Sequence, residues 1–421
     1  MAEEKGFQAK AWIVRKMTDL SVTEKLANLG YLGMKLEAKK GTPLQPDTFV
    51  PLYSEDMAIS VHLDEDNPIV GLREARYQSF LGQEDYKGTI KVLAEPKTFP
   101  HFLNMLLKKG VTQGDVATGY THPFTLGDSV KSYTIEFLKG NIPFRFYGVE
   151  AVSIAPAFED NKMVSDIALS ALGCFSTVKV KSASTTTVVL EDGPRPSPTK
   201  GLTTDDTLRL YDVSEGTYED VTISAVDADG KTLTVSTISG TFIEGDLAWL
   251  VPLSESYSIV DPFSWGRTEF RFGADAATAL SATQTRIEKG SNWKLLHNLE
   301  DDEGAKRSGS FRPAALVRTQ GDVEITLKKF FADGQEQNRF LQHLSHSLVV
   351  RHYSSAHAGT DLTEAELRMT VNEYNIKENT VPLSSGDILY NNLVLSPIYK
   401  SGETQMFDVK IVNSLAGSEY E

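Results

Sequence analysis

The chain has 421 residues, of which 40% are apolar and 24% charged, and its formal net charge is −15. This composition can form buried cores and excludes wholesale disorder, while the length predicts two to four domains. An acidic surface repels phosphate backbones, so the charge excludes a high-affinity nucleic-acid binder.

The first predicted elements lie between residues 88 and 170, and most of them are strands. Strand patterns cover residues 88–93, 132–137, 144–154 and 163–170. A helix is predicted over residues 98–109, with Thr98 as N-cap, Pro100 in the first turn and Gly110 as the stop. One broad apolar face is expected for it, made of Phe99, Phe102, Leu103, Leu106 and Leu107.

A segment of different character follows, over residues 180–258. It contains 13 acidic and 5 basic side chains, and its short strand patterns cover residues 185–190, 221–226, 232–236 and 248–251. Asp229-Gly230 predicts a hairpin turn, and residues 193–198 (GPRPSP) predict a loop. We interpret the segment as a small inserted all-β domain, either a barrel or a sandwich, that is exposed to solvent on most sides.

The C-terminal part repeats the order of the first. A strand at residues 321–327 precedes a helix expected after Asp333, with Glu336 in capping-box spacing and Leu341, Leu344 and Leu348 on one face. Strands at residues 366–371, 388–395 and 406–413 follow, and we match them in order to those at 132–137, 144–154 and 163–170. Element order therefore predicts an internal duplication, with a first unit at residues 1–178, an inserted domain at 179–258 and a second unit at 259–421. The predicted fold class is mainly β (α+β), with one flanking helix in each unit.

The sequence contains none of four common catalytic and nucleotide-binding motifs, which are G-x-x-x-x-G-K-[ST], G-x-G-x-x-G, G-x-S-x-G and H-E-x-x-H. The sequence therefore predicts no enzyme and assigns no catalytic, cofactor-binding or metal-binding residue. No run of 18 apolar residues and no apolar segment behind the charged N-terminus occurs, so neither a membrane span nor a secretory signal is expected. The single cysteine, Cys174, is typical of a reducing cytosol, and we interpret it as a buried small hydrophobe.

Four features of the sequence are candidate metal-binding or glycan-binding sites, and each has a simpler explanation. The histidines at 343, 346, 352 and 357 could bind a metal if the first two lay on the second helix, but a solvated helix edge is favoured. Glu300-Asp-Asp-Glu303 is better explained as a charged loop, and Asp227-Ala-Asp-Gly230 as a turn. Tyr211, Tyr218 and Trp249 could offer an aromatic glycan-binding surface, but core packing is favoured for them.

Residues 86–172 resemble a phage tail tube protein, the subunit that stacks as rings in the tail of a long-tailed bacteriophage. The resemblance lies in the order of Tyr86-Lys-Gly-Thr-Ile90, the helix ending at Gly110, Tyr120-Thr-His-Pro-Phe-Thr125, Ser132-Tyr-Thr-Ile-Glu136 and Phe146-Tyr-Gly-Val149. The second unit is more loosely similar, through Asn298-Leu-Glu300 and Gly321-Asp-Val-Glu-Ile325. Such proteins are β-sandwich or rolled-barrel domains with one flanking helix, and strands of neighbouring subunits join into a barrel that lines an often acidic lumen.

The resemblance implies a structural virion protein, a major tail tube subunit whose stacked rings conduct DNA during ejection. It would be assembled in the host bacterial cytoplasm, reside in the virion tail and use no cofactor. Its implied partners are itself, the tape measure protein, the tail terminator and distal tail proteins, with transient non-specific passage of DNA and no membrane. Two tube domains in each chain predict a homotrimer with pseudo-sixfold symmetry, and a homohexamer is the alternative if the second unit lies outside the wall.

Two further functions remain open at this point. The chain could be a minor tail or baseplate-hub protein with the tube fold, which would differ in copy number. It could also be a glycan-binding or glycan-degrading tail protein, although its acids are dispersed and it lacks the stacked-repeat periodicity common in β-helical depolymerases.

Overall fold

The structure is a computed structural model that describes residues 30–66, 78–192, 197–300, 312–313, 315–383, 388–399 and 405–421. Its α-helices are α1 (Phe99–Leu106), α2 (Ala276–Ser281) and α3 (Gln335–Leu341), and 3₁₀ turns occupy Trp265–Arg267 and Gly417–Tyr420. The strands are β1 (Leu32–Leu36), β2 (Thr48–Val50), β3 (Leu52–Glu55), β4 (Ala58–Asp66), β5 (Gln78–Leu93), β6 (Lys108–Lys109), β7 (Gln113–Asp115), β8 (Gly119–Thr125), β9 (Tyr133–Lys139), β10 (Ile142–Glu159), β11 (Lys162–Ser170), β12 (Gly173–Phe175), β13 (Thr177–Ala183), β14 (Thr187–Leu190), β15 (Thr207–Asp212), β16 (Thr217–Val226), β17 (Thr232–Val235), β18 (Leu247–Leu250), β19 (Thr268–Gly273), β20 (Asn292–Glu300), β21 (Val317–Phe330), β22 (His346–His357), β23 (Glu364–Thr380), β24 (Tyr390–Pro397) and β25 (Phe407–Asn413). The predicted mainly β class is confirmed.

The inserted segment forms a closed barrel of six strands, in the order β13-β14-β17-β16-β15-β18. Apolar and polar side chains alternate along each strand. The apolar ones form a separate core inside the barrel, which includes Val180, Leu190, Leu208, Ile223 and Leu250. The Asp229-Gly230 turn between β16 and β17 is confirmed: Gly230 has a φ of 72°, and the Asp229 carboxylate accepts from the backbone N–H groups of Lys231 and Thr232. The loop predicted at residues 193–198 lies largely outside the described residues. We call β13 to β18 the inserted barrel.

The remaining strands form one large sheet system that both units share. Its long run of antiparallel neighbours is β4-β5-β11-β10-β20-β21-β24-β23-β22-β19, while β25 and β8 continue from β23. β1, β9 and β12 pair with one another or with the N-terminal half of β10. Most of the buried apolar side chains beneath these strands form one cluster that extends from Leu32 to Ile411, and Tyr147, Leu172 and Leu316 form a small second one.

Six strand pairings of the first unit recur in the second. β1–β9, β4–β5, β5–β11, β9–β10, β10–β11 and β10–β12 correspond to β19–β22, β20–β21, β21–β24, β22–β23, β23–β24 and β23–β25. A helix follows the long strand in both units, α1 after β5 and α3 after β21.

The irregularities of the two sets of pairings also correspond. On β10 the register shifts after Phe146 and after Ala151, and on β23 it shifts after Val371 and after Ile376, which lie 225 positions later in each case. The shift after Val61 on β4 likewise has a counterpart on β20, 236 positions later. Bulges bend a strand at a defined point, so β10 and β23 bend at matching points.

The expected correspondence of elements is wrong by one strand. We expected residues 163–170 to match 406–413, but β11 pairs with β5 and β10 as β24 pairs with β21 and β23. The cause is that the sequence analysis missed β22, because the leucines that predicted one long helix do not lie in a single element. α3 ends at Leu341, Leu344 is exposed, and Leu348 is buried in β22.

The first helix is confirmed, but its surroundings differ from the expectation. All eight residues of α1 are buried, so it has no solvent face. The side chain of Thr98 makes no cap bond and donates instead to Glu95, and Gly110 is not the helix stop. The chain leaves the helix at Leu107 in extended conformation and continues into β6, which pairs with β8.

Replacing Leu106 by alanine should lower the free energy of unfolding by about 2 to 5 kcal/mol, since its fully buried side chain would leave a cavity. The exposed Lys108 nearby provides the control, and its change to alanine should alter stability by less than about 0.5 kcal/mol. Urea denaturation of both variants measures the difference. Equal, small effects would show that α1 is not a core element.

Candidate functional site

The structure separates the histidines that sequence spacing grouped. His343 follows α3 and has a left-handed φ of 51°, whereas His346 and His352 lie on β22. His352 is buried, its Nδ1 donates to the Thr268 hydroxyl (2.9 Å), and its Nε2 accepts from the indole N–H of Trp293 (3.1 Å). Burial lowers the pKa of His352 to about 3, so it is a neutral core residue. The expectation that His343 and His346 share a helix is wrong.

The other predicted sites have structural explanations where they are described. Asp227-Ala-Asp-Gly230 forms the hairpin turn of the inserted barrel, and Cys174 is buried in β12. Of the acidic run, Glu300 ends β20 and residues 301–303 lie outside the described residues. Across the described ranges, no three His, Cys, Asp or Glu side chains are grouped as metal ligands.

Of three aromatic side chains on the inserted barrel, Tyr218 is exposed and Tyr211 and Trp249 are half-buried. None of them belongs to the apolar core of the barrel, so the core packing that we favoured for them is wrong. Tyr211 pairs with Tyr218 across β15 and β16, and the rings of Tyr211 and Trp249 are 5.6 Å apart. Tyr218 is 60% exposed, and the guanidinium of Arg209 lies 4.0 Å from its ring centre. We call Tyr211, Tyr218 and Trp249 the aromatic face. Alternation along the strands places them opposite the buried residues of the same strands.

A buried arginine joins the inserted barrel to the first unit. Arg145 on β10 donates from Nε to Glu136 on β9 (2.7 Å) and from Nη1 to Asp206 of the barrel (2.6 Å), and all three side chains are at most 1% exposed. Tyr31 donates to the same Glu136 carboxylate and accepts from the backbone N–H of Leu253 beyond the barrel. Burial and the Glu136 carboxylate raise the pKa of Tyr31. Asp206 of the barrel and the backbone of Leu253 therefore contact one buried polar network.

A second buried arginine joins the two units. Arg318 on β21 pairs with Glu150 on β10 (3.0 Å) and donates to the carbonyl oxygens of Met105 (2.6 Å) and His297 (3.0 Å). The Met105 carbonyl belongs to the C-terminal end of α1, where a cation is favoured by the helix dipole. The His297 imidazole on β20 also contacts this end, through the Leu106 carbonyl oxygen (2.8 Å).

The C-terminal end of the chain is held in the first unit. The ring of Tyr420 lies between the imidazoles of His101 and His122, with both centroid distances at 4.8 Å. Its hydroxyl donates to the Lys97 carbonyl (2.9 Å), and its own carbonyl accepts from Asn104 of α1 (2.8 Å). Burial lowers the pKa of His101 to about 4, so this aromatic cluster is uncharged near neutral pH.

Strand pairing between β10 and β20, together with the β8–β25 pairing, joins the two units in one sheet. Ser153 lies opposite Leu296, and Ile154 lies opposite Leu295. Ile154 and Leu295 are fully buried, so the pairing also seals the core at this point. We call this pairing the intrachain joint. The sequence analysis missed β20, although the alternation of Trp293, Leu295 and His297 would have indicated it.

The positions on β4 and β23 that correspond to the intrachain joint have no partner strand on their outer side within the described ranges. β4 pairs through one side only, with β5. On β23, residues 375–380 pair with β24 on one side, while the β22 pairing on the other side ends at Tyr374. We call the outer side of β4 and the outer side of residues 375–380 the free edges. Unpaired edges present backbone donors and acceptors to another strand.

Comparison of the chain with protein-family models and with curated proteins finds no match. Among the described residues, no helix has the length and apolar character needed to cross a membrane.

The buried and exposed Arg–Asp pairs of the barrel should differ sharply in their effect on stability. Changing Asp206 to alanine leaves Arg145 with one carboxylate in a buried site, and we expect a loss of about 3 to 5 kcal/mol in the free energy of unfolding. Arg209 and Asp220 form a bidentate pair at 2.7 Å on the outside of the barrel, and Asp220→Ala should cost about 1 kcal/mol or less. Chemical denaturation of the full chain compares them, and similar losses would refute the role of Arg145 as a buried link.

Proposed function

We propose that this protein is a ring-forming structural subunit, a major tail tube protein of the phage type. The observation that carries the proposal is the recurrence of six strand pairings within one chain, in which β10 and β20 join the two sets and β4 and residues 375–380 each keep a free edge. A repeat that is joined head to tail and left open at both ends is completed by further copies, and closed cyclic assemblies are the usual outcome of such contacts.

The sequence resemblance lies within this arrangement. Tyr120-Thr-His-Pro-Phe-Thr125 is in β8, which pairs with β25 of the second unit, and the strand that begins at Tyr133 is β9. We infer that the two units are copies of one tube domain and that both contribute to the wall of the ring. The inserted barrel would project from this wall as an accessory domain.

A ring whose wall contains six tube domains, two from each chain, consists of three chains. The net charge of −15 supports a conduit through which DNA passes without adhering. A tube of stacked rings would contact the tape measure protein inside and the terminator and distal tail proteins at its ends, in the virion tail. A minor tail or baseplate-hub protein would share the fold and differ in copy number.

Electron micrographs of the purified protein at high concentration should show hollow rings or tubes. Cryo-electron microscopy averages should have threefold symmetry, with two similar domains alternating around the lumen and the inserted barrels outside. Sixfold identity of the subunits would contradict the trimer and favour a homohexamer. Featureless monomers at every concentration tested would contradict the proposed function itself.

The aromatic face supports glycan binding as a second function, confined to the inserted barrel. Exposed aromatic rings beside hydrogen-bonding groups suit the apolar faces and hydroxyls of sugars, and here the Tyr218 ring lies beside the Arg209–Asp220 pair. A glycan-binding screen of the full chain should give binding that Tyr218→Ala abolishes. Tyr399→Ala removes a similarly exposed tyrosine from the second unit and should leave binding unchanged. A screen without any binder would exclude this function.

A further inference from the structure

We propose that β4 of one copy of this chain pairs with residues 375–380 of the next copy, in the register by which β20 pairs with β10. The inference rests on the proposed ring function and adds to it the two strands, the register and the partner, which is a second copy of this chain.

The register follows from the correspondence of the two units. Leu295 and Leu296 of β20 lie opposite Val323 and Asp322 of β21. Since β21 corresponds to β5 through its pairing with β24, the same positions on β4 are Ile59 and Ser60, which lie opposite Tyr86 and Asp85. The register shifts agree, because they follow Val61 on β4 and His297 on β20.

The other half of the register comes from β10 and β23. The shifts after Val371 and after Ile376 on β23 lie 225 positions after those on β10, so Ser153 corresponds to Glu378 and Ile154 to Asn379. In the intrachain joint Ser153 lies opposite Leu296 and Ile154 opposite Leu295. Between copies, Glu378 would therefore lie opposite Ser60, and Asn379 opposite Ile59.

The exposure and the hydrogen bonding of the residues along the two free edges favour this pairing. Ile59 is half-buried against the core, and Ser60 and Glu378 are exposed. The side-chain oxygens of Asn375 and Asn379 are buried without a hydrogen-bond partner among the described residues. Buried acceptors without donors cost free energy, and a strand laid along this edge would bring backbone N–H groups to them.

The helix beside the edge does not prevent pairing. α3 contacts β23, and Gln337 accepts from the Asn379 amide (3.1 Å). In the first unit α1 contacts β10 in the same way while β20 remains paired with it. The inter-copy joint would place Asn379 where the intrachain joint has the apolar Ile154, so it would depend more on backbone hydrogen bonds and less on apolar burial.

The test is disulfide cross-linking in a Cys174→Ala background. Directly opposite residues of antiparallel strands lie within the Cα separation that a disulfide requires. The pair Ser60→Cys with Glu378→Cys should therefore form inter-chain disulfides on oxidation of assembled rings. Non-reducing gels should show covalent dimers and trimers that a reductant removes.

Two matched variants control for register and chemistry. Ser60→Cys with Thr380→Cys keeps both thiols on the same face but moves one by two residues, and its yield of cross-linked chains should be several-fold lower. Ser153→Cys with Leu296→Cys places the same chemistry in the intrachain joint, where the disulfide should form within single chains.

The outcomes separate this inference from the proposed function. Rings in which Ser60→Cys with Glu378→Cys cross-links no better than the shifted pair would overturn the register, while the ring function would stand. Failure of the parent chain to form rings at any concentration would overturn both.

Discussion

A β-strand leaves backbone N–H and C=O groups unpaired along any side that lacks a neighbour. On β10, Ser153 and Ile154 have β11 on one side, and β20, from a distant part of the chain, supplies the neighbouring strand on the other. Together with the β8–β25 pairing, the β10–β20 pairing joins the two units in a single sheet, and it seals the core where Ile154 meets Leu295. The free edges of β4 and of residues 375–380 lie at the positions that correspond to β20 and to residues 153–154 of β10 in this joint.

Buried charges hold the parts of the molecule in one arrangement. Arg145 fixes the inserted barrel against β9 and β10, and Arg318 fixes β21 against β10 and the C-terminal end of α1. A buried ion pair contributes little net stability compared with apolar packing, but a misplaced one is costly, since a buried charge then lacks its partner. We infer that these two arginines determine how the barrel and the units are positioned relative to one another, and that they add little to the net stability of the fold.

The two units share strand pairings and bulges while their sequences differ. Gly88 and Ile325 occupy corresponding positions on β5 and β21, as do Ile154 and Asn379 on β10 and β23. Pairing depends on backbone groups, which every residue other than proline supplies in full, so register can persist while side chains change. The side chains differ where the backbone positions correspond: the apolar Ile154 suits a permanent contact within the chain, and the polar Asn379 suits the contact between separately folded copies that we propose.

The sequence by itself determined the mainly β class, the position of α1 and the turn at Asp229-Gly230. Each of these depends on local periodicity or turn chemistry, which neighbouring residues specify. It did not determine that β22 begins at His346, because Leu341, Leu344 and Leu348 satisfy a helical spacing that strand pairing overrides. The intrachain joint, the free edges, the aromatic face and the ion pairs of Arg145 and Arg318 were decided only by the tertiary structure. They join residues far apart in the chain, and no local pattern specifies which distant strand or carboxylate a residue will meet.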